Sequence, residues 1–162
     1  MPVLYLDFDG VLHPSEVYLK NGVPTLICDD PYATLFCWAP ILESILADFP
    51  DVKVRLSTSW VRMKSFDYAK QKLPSSIQAR VAGSTFHKRM DRMEFDQLNR
   101  YQQIRADANR NGILKWVSVD DDGYGWPEAE KDHLVRTDGD HGLLQAKVQR
   151  ELRERLLWLT QK

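Results

Sequence analysis

Residues 1–13, MPVLYLDFDGVLH, decide the fold of this chain of 162 residues. Val3 to Leu6 is a short apolar run of strand-forming residues, and it ends abruptly in two carboxylates, Asp7 and Asp9. Charged groups at the end of a buried strand cost free energy unless they are paired or bind a metal ion. That cost indicates a functional site, because two such carboxylates can bind a hard cation and attack phosphorus.

Two further predicted strands also end in polar side chains. Hydroxyl groups follow the strand predicted over 52–56, and carboxylates follow the strand predicted over 113–119. The residues at these two ends are Ser57, Thr58, Asp120, Asp121 and Asp122. Further strands are predicted over 77–82 and 134–136, and a loop or small hairpin over 16–30.

Helical periodicity separates these strands. The predicted helices cover 32–49, 61–73, 95–109 and 143–159. Within the first of these, Pro40 marks a kink or the start of a second helix at Ala39. Strands that alternate with helices predict an α/β fold, here a Rossmann-like three-layer arrangement with a central parallel sheet. In such a sheet the three polar strand ends lie at one edge, which is where α/β proteins bind ligands.

The composition is that of an ordinary globular protein. At this length we expect one domain, spanning residues 1–162. The net charge of −1 argues against a nucleic-acid footprint over the whole domain, although a local basic patch remains compatible with it. Cys28 and Cys37 lack the spacing of a zinc site or a disulfide framework. We find neither a targeting segment nor an apolar run of membrane-spanning length, so we expect a cytoplasmic protein with no membrane partner.

The acidic strand ends can support phosphoryl transfer, which needs a nucleophile, a proton donor and charge neutralisation. Asp7 can act as the nucleophile by forming an aspartyl-phosphate. Asp9 lies two positions on, and it can protonate the leaving oxygen and then activate water. Asp120 and Asp121 add carboxylates, and together with Asp7 and Asp9 they form the predicted Mg²⁺ site.

Two further groups are needed to bind the phosphate itself. Ser57 or Thr58 can donate a hydroxyl hydrogen bond to a phosphate oxygen, and either can instead cap the helix that follows. Arg100, on the helix before the third strand, is the best-placed cation. The alternatives for this cation are Lys88, Arg89 and Lys115.

Four short motifs resemble those of the haloacid dehalogenase superfamily, and they occur in the family's order. DFDGV at 7–11 resembles the first motif, and LSTSW at 56–60 resembles the second. RYQQI at 100–104 is similar to the third, and VSVDDD at 117–122 to the fourth. The resemblance implies a Rossmann-like core, Mg²⁺ and phosphohydrolase chemistry, since an acid at the position of Asp9 is used by the phosphatase branch of that family.

The resemblance also bears on the substrate. The superfamily inserts cap domains between its motifs, and the gaps in this chain are too short for a large cap. We therefore expect a capless member with an open site, acting on a phosphorylated small molecule or on a macromolecular phosphoester. We therefore expect nucleic acid only as a possible substrate and not as a separate binding partner.

Other side chains near the motifs have more than one interpretation. His13 can contact substrate, but a packed or solvent-facing histidine is the more common case. The basic segment 86–92 can bind a polyanion, although such runs are more often simply solvated. Trp60 and Trp126 can stack on a base, but aromatic residues more often pack in the core or at its rim. Asp122 is expected on a surface loop.

Three alternative functions are compatible with the same residues. A receiver-like signalling module also collects carboxylates, a hydroxyl group and a cation at strand ends, but its phosphorylated aspartate ends a later strand. A non-catalytic phosphate-binding protein could keep the fold without the chemistry. A phosphotransferase would use the same nucleophile and pass the phosphoryl group to an acceptor other than water.

Overall fold

The computed structural model describes residues 1–162, which form an α/β fold around a five-stranded parallel sheet. The strands are β1 (Val3–Leu6), β2 (Val17–Lys20), β3 (Val23–Leu26), β4 (Lys53–Leu56), β5 (Val81–Ser84), β6 (Trp116–Asp120) and β7 (Leu134–Arg136). The helices are α1 (Ala39–Ala47), α2 (Ser59–Met63), α3 (Phe66–Gln71), α4 (Ser75–Gln78), α5 (Arg92–Gln97), α6 (Arg100–Arg110) and α7 (Ala146–Thr160). Two short 3₁₀ helices lie at Glu128–His133 and Gly142–Leu144.

The central sheet has the strand order β5-β4-β1-β6-β7, and every neighbouring pair is parallel. β1 is the middle strand, and Leu6 pairs with Leu56 of β4 and with Val119 of β6. The next residues on these three strands are therefore level with one another: Asp7, Ser57 and Asp120. The chain order changes direction between β1 and β6, which is the position where open parallel sheets form a ligand-binding crevice.

Side chains along β1 alternate between the two faces of the sheet, as the strand geometry requires. Leu4 and Leu6 belong to a large core that also contains residues of α1 and α7. Tyr5 belongs to a smaller core with Ile104 of α6. The sheet therefore has helices on both faces, which confirms the predicted Rossmann-like three-layer arrangement.

Several predicted helices are shorter than the periodicity indicates. The helix predicted over 32–49 begins only at Ala39, because Pro40 occupies its first turn, where a missing N–H costs nothing. The helix predicted over 61–73 is two helices, and the Ser65 hydroxyl caps the second. The helix predicted over 95–109 is also two helices, since Asn99 and Gln102 form a capping box at the start of α6.

No large cap covers the strand ends, as expected. The segment between β1 and β4 contains the hairpin β2–β3 and α1, and the segment between β4 and β6 contains α2 to α6 and the edge strand β5. The hairpin turns at Asn21 and Gly22, both of which have positive φ. None of the helices has the length and apolar character needed to cross a bilayer.

Candidate active site

Three acidic side chains meet at the carboxyl end of the central strands. Ligand oxygens of Asp7, Asp120 and Asp121 all lie within 4.8 Å of one another. The side chain of Asp120 is fully buried and that of Asp7 nearly so, and Oδ2 of Asp120 accepts no hydrogen bond. Three converging carboxylates, one with an unbonded buried oxygen, fit a hard cation such as Mg²⁺. The carboxylate of Asp9 lies outside this group.

The electrostatics of this cluster are those of carboxylates held apart from water. Burial raises the pKa of Asp7 well above its usual range, the charge of Asp120 raises it further, and Arg100 opposes both. Burial likewise raises the pKa of Asp120 to about 6, against the lowering effect of Arg100. Burial also raises the pKa of Asp121, although hydrogen bonds with its acidic neighbours lower it. A bound cation would favour the charged form of all three groups.

Arg100 is the cation that the structure brings to these carboxylates. Its Nε lies 3.2 Å from Oδ2 of Asp120, an ion pair without hydrogen-bond geometry, and its Nη2 lies 3.8 Å from Oδ1 of Asp7. Its Nη1 donates to the carbonyl oxygen of Ser57. Burial lowers the pKa of Arg100, but the charges of Asp7 and Asp120 outweigh this effect and raise it. The guanidinium is therefore fixed, charged and close to the predicted nucleophile.

The other candidate cations lie away from the cluster. Lys115 precedes β6, at the opposite edge of the sheet, and its Nζ is 3.4 Å from the carbonyl oxygen of Gln161. Lys88 and Arg89 are exposed on the loop after β5, and neither forms an ion pair with the site carboxylates. Of the cations that the sequence offers, Arg100 alone is within 4 Å of Asp7 or Asp120.

The two candidate hydroxyl groups have different surroundings. Ser57 is fully buried, and its Oγ lies 3.4 Å from Nη1 of Arg100. Thr58 is the N-cap of α2, and its Oγ1 accepts the N–H of Trp60 at 3.3 Å. A capping hydroxyl uses a lone pair, so the hydroxyl hydrogen of Thr58 is still available to a phosphate oxygen. Helix capping and phosphate binding are therefore compatible in Thr58. Ser57 and Thr58 both stay predicted phosphate ligands.

Asp9 is held by two donors that the sequence did not single out for this role. Nε2 of His13 lies 2.8 Å from Oδ1 of Asp9, and Nε1 of Trp60 donates to the same oxygen at 2.9 Å. Nδ1 of His13 accepts the N–H of Phe36 at 3.1 Å, so in the neutral ring the proton is on Nε2, which faces Asp9. Oδ2 of Asp9 has no partner within the chain and is free for substrate.

His13 and Trp60 therefore combine packing with a contact to a predicted catalytic group. Both are buried, and both rings pack against Phe36. Their positions in the sequence were the available signal, since His13 lies four residues after Asp9 and Trp60 lies two residues after Thr58. Trp126, in contrast, packs with Tyr101 and has no contact with the site carboxylates.

Gly10 lets the first motif pass close to the acidic cluster. Its φ is +80°, which favours glycine, and a Cβ at this position would lie 2.3 Å from Oδ2 of Asp121. Thr137 donates from Oγ1 to the carbonyl oxygen of Gly10 at 2.7 Å and fixes the turn from the β7 side. The motif glycine is thus required both by backbone conformation and by the space that Asp121 occupies.

A groove of about 100 Å³ opens beside Asp9. The hairpin supplies Tyr18 and Pro24 to its wall, and α2 supplies Trp60 and Met63. Because Asp9 is the predicted proton donor, this groove is where the leaving group of a substrate would lie.

One comparison with known proteins identifies relatives. The family model described as "HAD domain in Swiss Army Knife RNA repair proteins" matches residues 3–148. The matched span runs from the first residue of β1 into α7 and contains all the predicted site residues. No curated protein and no solved structure matches the chain.

Proposed function

The chain belongs to the HAD superfamily, in the family of the HAD domain of Swiss Army Knife RNA repair proteins, and from this membership we propose that it is a Mg²⁺-dependent phosphohydrolase. Asp7 is the proposed nucleophile and Asp9 the proposed acid and base. Asp7, Asp120 and Asp121 would hold Mg²⁺, whereas the carboxylate of Asp9, predicted from the sequence as a fourth ligand, lies outside this group. Phosphate would be bound by Arg100 and by the hydroxyl group of Ser57 or Thr58.

The observation that supports this proposal best is the contrast between two carboxylates of one motif. Asp7 lies within the acidic cluster and beside Arg100, whereas Asp9 lies outside the cluster and is hydrogen-bonded to His13. A nucleophile and a proton donor need such different surroundings. Arg100 and a bound cation would keep Asp7 charged against the burial that raises its pKa, whereas Asp9 must exchange a proton.

The two steps follow from these placements. A carboxylate oxygen of Asp7 attacks phosphorus as the bond to the leaving oxygen breaks, and the carboxyl group of Asp9 gives its proton to that oxygen. Asp9 then takes a proton from water, the water oxygen attacks phosphorus, and the bond to Asp7 breaks to release inorganic phosphate. Arg100 balances the charge of the phosphoryl oxygens throughout. Bound Mg²⁺ would supply further positive charge for those oxygens.

We propose the terminal phosphomonoester of an RNA strand as the substrate. The family description names RNA repair, and an end of a strand is where repair meets a phosphomonoester. The absence of a large cap supports this choice, because a polymer can enter an open site from one side without passing under a lid.

Substitution of Asp7 tests the chemistry. Asp7→Asn should reduce Mg²⁺-dependent hydrolysis of p-nitrophenyl phosphate at least about 10³-fold, because an amide cannot form the acyl phosphate. Asp51→Asn, at an exposed turn before β4, is the matched control and should keep wild-type activity. Full activity in Asp7→Asn would overturn the proposal.

Three further outcomes separate the alternative functions. A stable phospho-aspartate without turnover would favour a receiver-like module, and transfer of the phosphoryl group to an added alcohol in place of water would favour a phosphotransferase. Failure to bind Mg²⁺ in a titration would favour a non-catalytic phosphate-binding protein. The substrate is tested with RNA oligonucleotides that carry a 3′- or a 5′-phosphate, and release of phosphate from neither would remove RNA from the proposal.

A further inference from the structure

A second concave surface lies beside β5, apart from the acidic cluster. This cleft has a volume of about 690 Å³, and none of the carboxylates predicted to take part in catalysis lines it. Its walls come from the edge strand β5, the turn between α2 and α3, and the segment that follows β5. Nothing in the proposed reaction uses this cleft.

The cleft concentrates positive charge in a chain whose net charge is −1. Lys64, His87, Lys88 and Arg92 line it and are exposed, whereas Asp67 is the one carboxylate in its wall. A concave surface with an excess of positive charge on a nearly neutral protein indicates a ligand with several negative charges.

Three of these side chains have donors that the protein itself leaves free. Lys88 and Arg92 form no ion pair. Nδ1 of His87 accepts the N–H of Arg89 at 3.1 Å, which in the neutral ring leaves the proton on Nε2. Arg55 also lines the cleft, but its guanidinium is bound to Asp107 and to backbone carbonyls, so its role there is structural.

The cleft adjoins the groove beside Asp9 at the end of α2, where the two share one lining residue. Lys64 lines both the basic cleft and the groove beside Asp9. Its Nζ donates to the carbonyl oxygen of Gly22 at 2.9 Å, and it lies 5.0 Å from the ring of Tyr68, so its position is fixed. A chain whose leaving group lies in the groove at Asp9 can therefore run past Lys64 into the basic cleft.

We propose that this cleft binds the sugar-phosphate backbone of a single-stranded RNA whose terminal phosphate is hydrolysed at Asp7. This inference rests on the proposed function, and it adds a binding site for the internal phosphodiesters. Lys88 contacts phosphate oxygens as a point charge, Arg92 contacts them through the N–H groups of its planar guanidinium, and His87 donates from Nε2. These contacts confer affinity for a polymer but not for a small phosphate ester.

A charge reversal in the cleft tests this inference by binding alone. In the Asp7→Asn background, we would measure the Kd of a fluorescein-labelled RNA 10-mer with a terminal phosphate by fluorescence anisotropy. Lys88→Glu with Arg92→Glu should weaken binding at least about 10-fold and reduce the salt slope, d log K/d log[salt], by about 1.4, the value for two lost contacts to a single strand. Lys147→Glu with Arg150→Glu, exposed on α7, makes the same change in net charge and should alter Kd less than about twofold.

The readouts separate this inference from the proposed function. In protein that retains Asp7, the cleft variant should hydrolyse p-nitrophenyl phosphate at the wild-type rate, which also shows that it folds. The milder double variant, Lys88→Ala with Arg92→Ala, should also weaken RNA binding, but by a smaller factor. Equal RNA affinity in the cleft and control variants would overturn the inference, as would competition by polyglutamate as effective as that by unlabelled RNA. Loss of hydrolysis in Asp7→Asn bears only on the proposed function, since the binding measurement needs no turnover.

Discussion

Nε2 of His13 lies 2.8 Å from Oδ1 of Asp9, in a ring that has no exposed surface. The N–H of Phe36 donates to Nδ1 of His13, and Nε1 of Trp60 donates to Oδ1 of Asp9. Asp9 is therefore held in one orientation by two rigid aromatic donors. Such preorganisation is worth most at a group that must transfer a proton at a set distance.

Removal of the Trp60 donor should lower the rate of catalysis with little effect on the fold. In Trp60→Phe the aromatic packing against Phe8 and Phe36 is largely kept, but the N–H that orients Asp9 is lost. We expect kcat for an aryl phosphate to fall about 10-fold or more, with a smaller change in KM.

Trp126→Phe is the matched control for that change. Nε1 of Trp126 donates to the carbonyl oxygen of Glu130, far from the motif carboxylates, so its loss should leave kcat within about twofold. His13→Gln should retain more activity than His13→Ala, because the glutamine amide can still donate towards Asp9. Equal kcat values in Trp60→Phe and Trp126→Phe would show that Asp9 does not need this donor.

Gly10→Ala should damage the metal site directly. The added Cβ would lie 2.3 Å from Oδ2 of Asp121, and φ of +80° strains any residue with a side chain. We expect at least about a 10-fold loss of Mg²⁺ affinity, measured by isothermal titration calorimetry. Gly22→Ala is the control, because Gly22 also has positive φ but its Cβ meets nothing within 4 Å. Equal Mg²⁺ affinity in the two variants would exclude this steric role.

The sequence predicted which strand ends meet far better than it predicted the bounds of the helices. Asp7, Ser57 and Asp120 could be placed together because each follows an apolar run directly, and parallel strands bring such ends to one edge. β7 has the predicted bounds, and the hairpin lies where a hairpin or loop was predicted. Helix boundaries failed where caps at Ser65 and Asn99 interrupt a continuous apolar periodicity.

The features that could not be predicted from the sequence depend on contacts between residues far apart in the chain. The contact between Trp60 and Asp9 joins residues 51 positions apart, and no local pattern encodes it. The hydrogen bonds of Asp107 with Tyr5 and Arg55 also join residues that are far apart in the sequence. They could not be predicted, because a charged residue in a helix normally indicates a solvated face. The basic segment 86–92 was visible in the sequence, but the cleft that its residues line depends on the edge strand and α2.

Mg²⁺ should stabilise the protein more at neutral than at acidic pH. The raised pKa values of Asp7, Asp120 and Asp121 mean that the folded state keeps protons which the unfolded chain releases near pH 4. Stability of the metal-free protein from these groups therefore falls as the pH rises from about 4 through about 6. Mg²⁺ competes with those protons, so its effect grows over the same range.

Thermal unfolding measures this linkage. At 100 times its Kd, Mg²⁺ should stabilise the fold by about 2.7 kcal/mol at pH 7.5, or roughly 5–10 °C in Tm for a domain of this size. At pH 5, with the same concentration of Mg²⁺, the increase in Tm should be markedly smaller. Asp121→Asn should lose most of the response, and NaCl at equal ionic strength should not reproduce it. An equal gain in Tm at both pH values would contradict the assignment of the cluster as the metal site.

Asp107 should be a main determinant of stability, although it takes no part in the proposed reaction. Its buried carboxylate accepts the Tyr5 hydroxyl at 2.7 Å and Nε of Arg55 at 2.6 Å. Asp107→Ala would leave the largely buried Arg55 guanidinium without its counter-charge, which costs about 3–5 kcal/mol in the free energy of unfolding. Arg55 also donates to the carbonyl oxygens of Ala82 and Ser84, so the edge strand β5 should lose protection from hydrogen exchange first.

Urea unfolding of a small set of variants distinguishes this buried network from an ordinary surface ion pair. Asp132→Ala removes the exposed partner of Arg155 and should change the free energy of unfolding by less than about 0.5 kcal/mol.

Tyr5→Phe should cost about 1.5–3 kcal/mol in the free energy of unfolding, because it removes a hydrogen bond to a charged group. Burial and then the Asp107 charge raise the pKa of Tyr5, so its contribution is complete below about pH 10 and is lost as the pH rises further. The double variant Tyr5→Phe with Asp107→Ala should therefore cost less than the sum of the single changes, since both remove the same bond; strict additivity would show that the hydroxyl and the carboxylate do not interact.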